Sequence, residues 1–139
     1  LMKSHDTDKT YLCLVSGRYD GPSELEGYLT KDTKNNLVRY SAEETPDSKY
    51  MSESVSVVEY RENFTLLKVV LHTGRSHQIR CSLAAIGYPI LGDVKYGNKE
   101  LNQKYLKKGV DRALLHSSSI RLNGRVVECE TPEIFSKVK

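Results

Sequence analysis

The chain has 139 residues, 38% of them hydrophobic, with 21 Lys+Arg against 18 Asp+Glu and a formal net charge of +3. That length suits one compact domain, which buries roughly two-thirds of its unfolded surface and needs no disulfide or metal staple. The mild charge excludes a histone-like tail or a polybasic membrane anchor, and no apolar run approaches the ~18 residues that signal a membrane-spanning helix.

Residues 1–6 lack the apolar core of a signal peptide, and Met2 follows a leucine. Residues 11–15 (Tyr-Leu-Cys-Leu-Val) are an apolar run before Ser16 and Gly17, and predict a buried strand. Residues 25–29 and 37–40 carry weaker strand signals, with a polar turn at 31–36 between them. Residues 41–48 include Pro46 and many polar side chains, and predict an exposed loop. Residues 53–60 alternate polar and apolar side chains. Arg61, Glu62 and Asn63 follow, then the β-rich run 64–71, which together predict a hairpin. Residues 73–76 (Thr-Gly-Arg-Ser) open a predicted helix whose apolar stripe is Ile79, Leu83 and Ile86. Gly87 is a suitable stop, and Pro89 prevents continuation. Residues 98–108 predict a polar second helix. Residues 113–122 and 125–130 flank Asn123 and Gly124, a strong hairpin signal. Residues 133–138 predict a short terminal helix. About eight strands and one or two helices give an α+β class on a mostly antiparallel mixed sheet.

Chemistry concentrates at residues 72–80, His-Thr-Gly-Arg-Ser-His-Gln-Ile-Arg, at a strand-to-helix junction. A helix N-terminus favours an anion. Gly74 permits a tight turn or a close approach of ligand. Arg75 supplies a planar fork for phosphate, and His77 and Arg80, three apart, would share a helix face. The same residues also suit a plain helix start, with Ser76 as cap and the charges solvated. No metal site is expected: His72 and His77 are five apart, and no acid or thiol completes a ligand set. No nucleophile elbow, phosphate loop or dinucleotide fingerprint occurs, so no nucleotide cofactor is implied. Cys13, Cys81 and Cys129 are odd in number, form no CxxC pair and lie in strand or helix runs. They read as core thiols of a reduced, cytoplasmic protein.

Residues 71–80, then 83–93 (Leu-Ala-Ala-Ile-Gly-Tyr-Pro-Ile-Leu-Gly-Asp) with Tyr96 and Gly97, resemble the RluA-type RNA pseudouridine synthases. Residues 9–17 resemble that family's tyrosine-bearing strand, and residues 114–117 (Leu-Leu-His-Ser) its later LHA segment with serine for alanine. The resemblance implies an enzyme acting on structured RNA, ribosomal or transfer, without metal or cofactor. It detaches uracil from C1′, rotates it and rejoins it through C5. It further implies Tyr11 as the tyrosine that contacts the uracil and Arg80 as the basic partner of a catalytic aspartate, with Lys9, Arg75 and His77 as RNA contacts. A flipped base needs an aromatic surface, and phosphate contacts position RNA without reading its sequence. Asp93, after Gly92, reads as a structural turn residue, and His116 as packed near the sheet.

The family's aspartate lies in an HRLD motif, and no HRLD occurs in this sequence. Asp6 and Asp8 are poor substitutes, too close to Tyr11. Residues 1–139 therefore read as one domain, the C-terminal portion of a catalytic domain. The expectation is no activity alone, weak and salt-sensitive RNA binding, and self-association through surface left exposed at the cut. A non-catalytic RNA-binding module, or a plain interaction domain, would use the same residues.

Overall fold

The computed structural model describes residues 9–122, 125–128 and 130–138. Among these residues the elements run β1 (Lys9–Ser16), β2 (Glu24–Asp32), β3 (Leu37–Ser41), β4 (Lys49–Tyr60), β5 (Phe64–Leu71), α1 (Gln78–Ala85), α2 (Lys99–Leu106), β6 (Leu115–Leu122), β7 (Arg125–Glu128) and α3 (Ile134–Lys137). The strands form one seven-stranded sheet in the order β3-β2-β4-β5-β1-β6-β7. Every pairing in it is antiparallel. The expected α+β class holds. The parallel pairs that a mixed sheet implies do not occur among the described residues, where there are seven strands and three short helices. Asn123 and Gly124 lie outside the described residues, as does Cys129. Leu122 pairs with Arg125, as a hairpin there requires.

Side chains on β1 and β5 alternate between two cores, as the two-residue period of a strand dictates. Cys13 and Val15, with Tyr11 packed beside them, join Leu67, Val69 and the α1 residues Ile79, Cys81 and Leu83 on one face. Leu12, Leu14, Phe64 and Leu66 join Tyr105 of α2 and Phe135 of α3 on the other. A strand covered on both faces reads as a continuous apolar run, which is why 11–15 was legible. β4 begins at Lys49, four residues earlier than its alternation suggests, because Lys49–Glu53 pairs along β2. Val58 breaks the alternation because the β4–β5 register shifts between Val57 and Glu59, leaving Val58 52% exposed.

α1 is shorter than expected. It starts at Gln78, with His77 at the N-cap in the left-handed region (φ 56°) and no side-chain cap. Residues 73–77 form a loop instead, closed by a turn at Ser76 and His77, because the Gln78 side chain competes for its polar groups. Its Oε1 accepts from Thr73 Oγ1 (2.7 Å) and from the Arg75 N–H (3.1 Å). The C-terminal end follows expectation. Gly87 (φ 101°) donates to Ala84 O, and Tyr88 N–H donates to Leu83 O at 2.8 Å. These two bonds make a Schellman stop.

Candidate active site

Tyr11 lies half-buried on the sheet face that α1 covers. The register sets Tyr11, Val69 and Val55 in one cross-strand row, and Lys9, Leu71 and Glu53 in the next. On its other side Tyr11 sits at a bulge. Thr10 pairs with Ser119 but Tyr11 with Ser117, so Ser118 is the extra residue, and its Oγ donates to Thr10 O at 3.1 Å. Bulges re-aim side chains and concentrate near active sites. No local pattern in residues 115–122 announces this one.

Arg80 leaves α1 and meets Asp93 as a two-toothed fork. Nε donates to Oδ2 at 2.8 Å and Nη2 to Oδ1 at 2.9 Å. The Asp93 side chain is fully buried and that of Arg80 is 23% exposed. Asp93 also accepts from the N–H groups of Lys95 (3.0 Å) and Tyr96 (3.1 Å). It is therefore the turn residue expected and, beyond that, the ion-pair partner of Arg80. Burial by itself raises the Asp93 carboxyl. The bonds from Arg80, Tyr96 and Lys95 outweigh it and hold the group below its ordinary value. Gly92 is required beside it: its backbone is left-handed (φ 90°), and a Cβ there would stand 2.0 Å from Arg112 O. The spacing of thirteen residues hid this pair, and a buried acid after a glycine was the available signal.

His77 precedes α1, so it does not form a helical i, i+3 pair with Arg80. Tyr96 joins the two instead. Its Oη lies 2.8 Å from His77 Nδ1, and its ring lies 5.2 Å from the Arg80 guanidinium. Tyr96 Oη also accepts the Val38 N–H at 2.9 Å, which leaves its own proton able to go to His77 Nδ1. In that arrangement a neutral His77 carries its proton on Nε2. Burial, then the Arg80 and Lys95 charges, lower its pKa, which favours that neutral form. The His77 cation is thus disfavoured, and the residue is held in a backbone region that costs energy in a residue with a side chain. Tyr96→Phe should lower stability by about 1–2 kcal/mol by orphaning the Val38 N–H, read by urea unfolding.

Arg75 is exposed and donates from Nε to Tyr50 O at 2.8 Å. It lines a cleft of about 300 Å³ with Lys31, Lys49, Asp47, Gly74 and Ser76 over a floor of Leu29 and Val38. A Cβ on Gly74 would meet nothing, so neither a crowded backbone nor a left-handed one requires glycine there. Lys31 and Lys49 come from distant strands, and the sequence reading missed them.

Two other clusters bear on chemistry. His72 Nε2 lies 2.7 Å from Ser54 Oγ, which also contacts both carboxylate oxygens of Glu24. The carboxylate sits on the serine rather than on His72 Nδ1, so the relay of a hydrolytic triad is not assembled. Among the described residues no group of three or more His, Cys, Asp or Glu could hold a metal ion. No helix among them is long and apolar enough to cross a membrane. Cys13 and Cys81 are free and buried. Burial, then the Glu53 charge, pushes the Cys81 thiol up to about 11 and Cys13 higher still, so both are unreactive. His116 lies on β6, 6.3 Å ring to ring from Phe135.

Comparison with known proteins gives concordant findings. Residues 1–85 match the family model described as RNA pseudouridylate synthase. The chain is 34% identical over 117 residues to ribosomal large subunit pseudouridine synthase C of Haemophilus influenzae, covering 81% of this chain and 35% of that protein. It is 32% identical over 133 residues to the Yersinia pestis protein of the same name, covering 89% and 40%. It therefore spans about two-fifths or less of the length of these curated relatives. The fold matches human RNA pseudouridylate synthase domain containing 1, with a TM-score of 0.73 at 21% identity over 96% of this chain and 57% of that one.

Proposed function

The chain belongs to the RNA pseudouridylate synthase family, and from that premise we propose that it forms the tyrosine- and arginine-bearing part of a site that isomerises uridine to pseudouridine in structured RNA. The substrate is ribosomal rather than transfer RNA, because the similar curated proteins carry ribosomal names. Tyr11 offers the ring against which a flipped uracil lies. Arg80 is the basic partner of the catalytic aspartate. The observation that carries this reading is the fork of Arg80 on Asp93, on an element packed over the face that bears Tyr11. Asp93 engages Nε and Nη2, leaving Nη1 for a second carboxylate. The reading places the catalytic aspartate in an HRLD segment, and no HRLD occurs in these 139 residues. Lys9, Arg75 and His77, with Lys31 and Lys49, form the RNA-facing surface, and a cytoplasmic setting keeps Cys13 and Cys81 reduced.

Release of tritium from 5-³H-uridine RNA tests the chemistry. The 139-residue chain alone is expected to give no turnover, and robust turnover would sink the requirement for an outside aspartate. A polypeptide that adds an HRLD segment should turn over. If it binds RNA without turnover, the non-catalytic module is the correct reading, which the missing motif otherwise suits. RNA binding by the chain should weaken as salt rises, and Arg75→Ala with Lys49→Ala should cut the log–log salt slope by about 2. An unchanged slope would remove the cleft from the RNA surface.

A further inference from the structure

Glu53 is a buried acid for which the proposed reaction has no use. It lies on β4 at an inward position, between Met51 and Val55, and its side chain is fully buried. Among the described residues no cation pairs with it. Its two partners are both on α1: Gln78 Nε2 donates to Oε1 at 2.9 Å and Ser82 Oγ to Oε2 at 2.8 Å. Gln78 and Ser82 are four apart, so one carboxyl grips two successive turns of the helix on the same face.

The grip extends beyond the helix. Gln78 Nε2 also donates to Ser52 O at 3.2 Å, while Gln78 Oε1 accepts from Thr73 Oγ1 and Arg75 N–H. Thr73 Oγ1 in turn accepts from Ser52 N–H at 3.0 Å. A continuous network thus runs from the buried carboxyl, through one glutamine, to the turn that carries Arg75 and His77. Arg80 lies between the two gripped residues on α1. We propose that Glu53 is a positioning residue of the RNA site: through Gln78 and Ser82 it sets the rotation of α1 and the closure of the 73–77 turn, and so presents Arg75, His77 and Arg80. The proposal rests on the RNA-binding reading above.

A neutral group of the same shape can do this work. Ser82 Oγ also lies 3.3 Å from Ile79 O, so its proton can turn there and leave the oxygen free to accept from position 53. Glu53→Gln therefore keeps both links, whereas Glu53→Ala leaves Gln78 Nε2 with Ser52 O alone, removes the acceptor of Ser82 and frees the helix start. In the 139-residue chain, Glu53→Ala should weaken binding of a uridine-containing RNA stem-loop roughly fivefold, the loss of one charge-assisted contact. Glu53→Gln should bind as the parent does. Amide hydrogen exchange should speed up at Arg75 and Gln78 in Glu53→Ala but stay slow at Leu67 and Val69. Combined with Arg75→Ala, the affinity losses should be less than additive, because part of the Glu53 effect passes through the Arg75 side chain. Gln78→Ala cuts the link from the helix side and should reproduce the loss, which covers the case of Glu53→Ala failing to fold. Additive losses, parental affinity in folded Glu53→Ala, or exchange that rises uniformly across the sheet would each overturn the proposal. If Arg75→Ala itself leaves RNA affinity unchanged, the RNA-binding reading fails instead, and the exchange pattern still decides whether Glu53 holds the turn.

Discussion

Arg80→Ala is expected to lower the free energy of unfolding by about 3–5 kcal/mol at neutral pH, the usual result of removing one partner from a buried ion pair. The Asp93 carboxylate would remain fully buried, with only the N–H groups of Lys95 and Tyr96 as donors. Asp93→Ala should cost less, because the stranded Arg80 is partly exposed and can turn to water. The pH response should also invert. In the parent the Asp93 pKa is depressed, so its stabilisation is present above the ordinary carboxylate range and is lost as pH falls through the lowered value. Without Arg80 the buried carboxylate prefers its proton, and the variant regains stability on acidification. Urea unfolding at two pH values measures both effects. A cost under about 1 kcal/mol, the range of an exposed pair, would mean that the fork is not closed in solution.

Glu53 should make the protein less stable as pH rises from about 5 to 8. Burial drives its carboxyl from 4.5 up to about 7, even though Gln78 and Ser82 pull it down. The folded chain then holds a proton that the unfolded chain has already lost between those two values. Stability is complete below the unfolded value and declines until the folded group ionises near 7. The full shift corresponds to about 3 kcal/mol, an upper figure for a fully buried group. His77 opposes it: its lowered pKa makes folding tighten as pH rises through the ordinary histidine value. The difference between the parent and Glu53→Gln isolates the acid, since the amide carries no titrating proton. That difference should shift in favour of Glu53→Gln by about 3 kcal/mol across the range. A constant difference would show that Glu53 does not ionise near neutrality.

The two predictions concern side chains that differ in how visible they were. Asp93 followed a glycine in a turn, and its local role was readable. Its partner was not, because Arg80 stands thirteen residues earlier on a helix that must first pack on the sheet. Glu53 occupied an inward slot in the repeat Met51, Glu53, Val55, Val57, and that slot was a usable signal. What it could not supply was the identity of the donors, which α1 brings from 25 and 29 residues away.

The sequence by itself determined the strands, the stop of α1 at Gly87, the burial of β1 on both faces and the family motif around residues 71–97. These depend on hydrophobic period, capping and turn chemistry, which act over a few neighbouring residues. Only the tertiary structure decided that residues 73–77 stay outside the helix, that His77 is left-handed, that Ser118 bulges beside Tyr11, and that Lys31 and Lys49 join Arg75 at one cleft. Each of these is settled by which polar groups meet when α1 closes over the sheet. Such meetings depend on long-range register, and burial makes each one costly to leave unsatisfied.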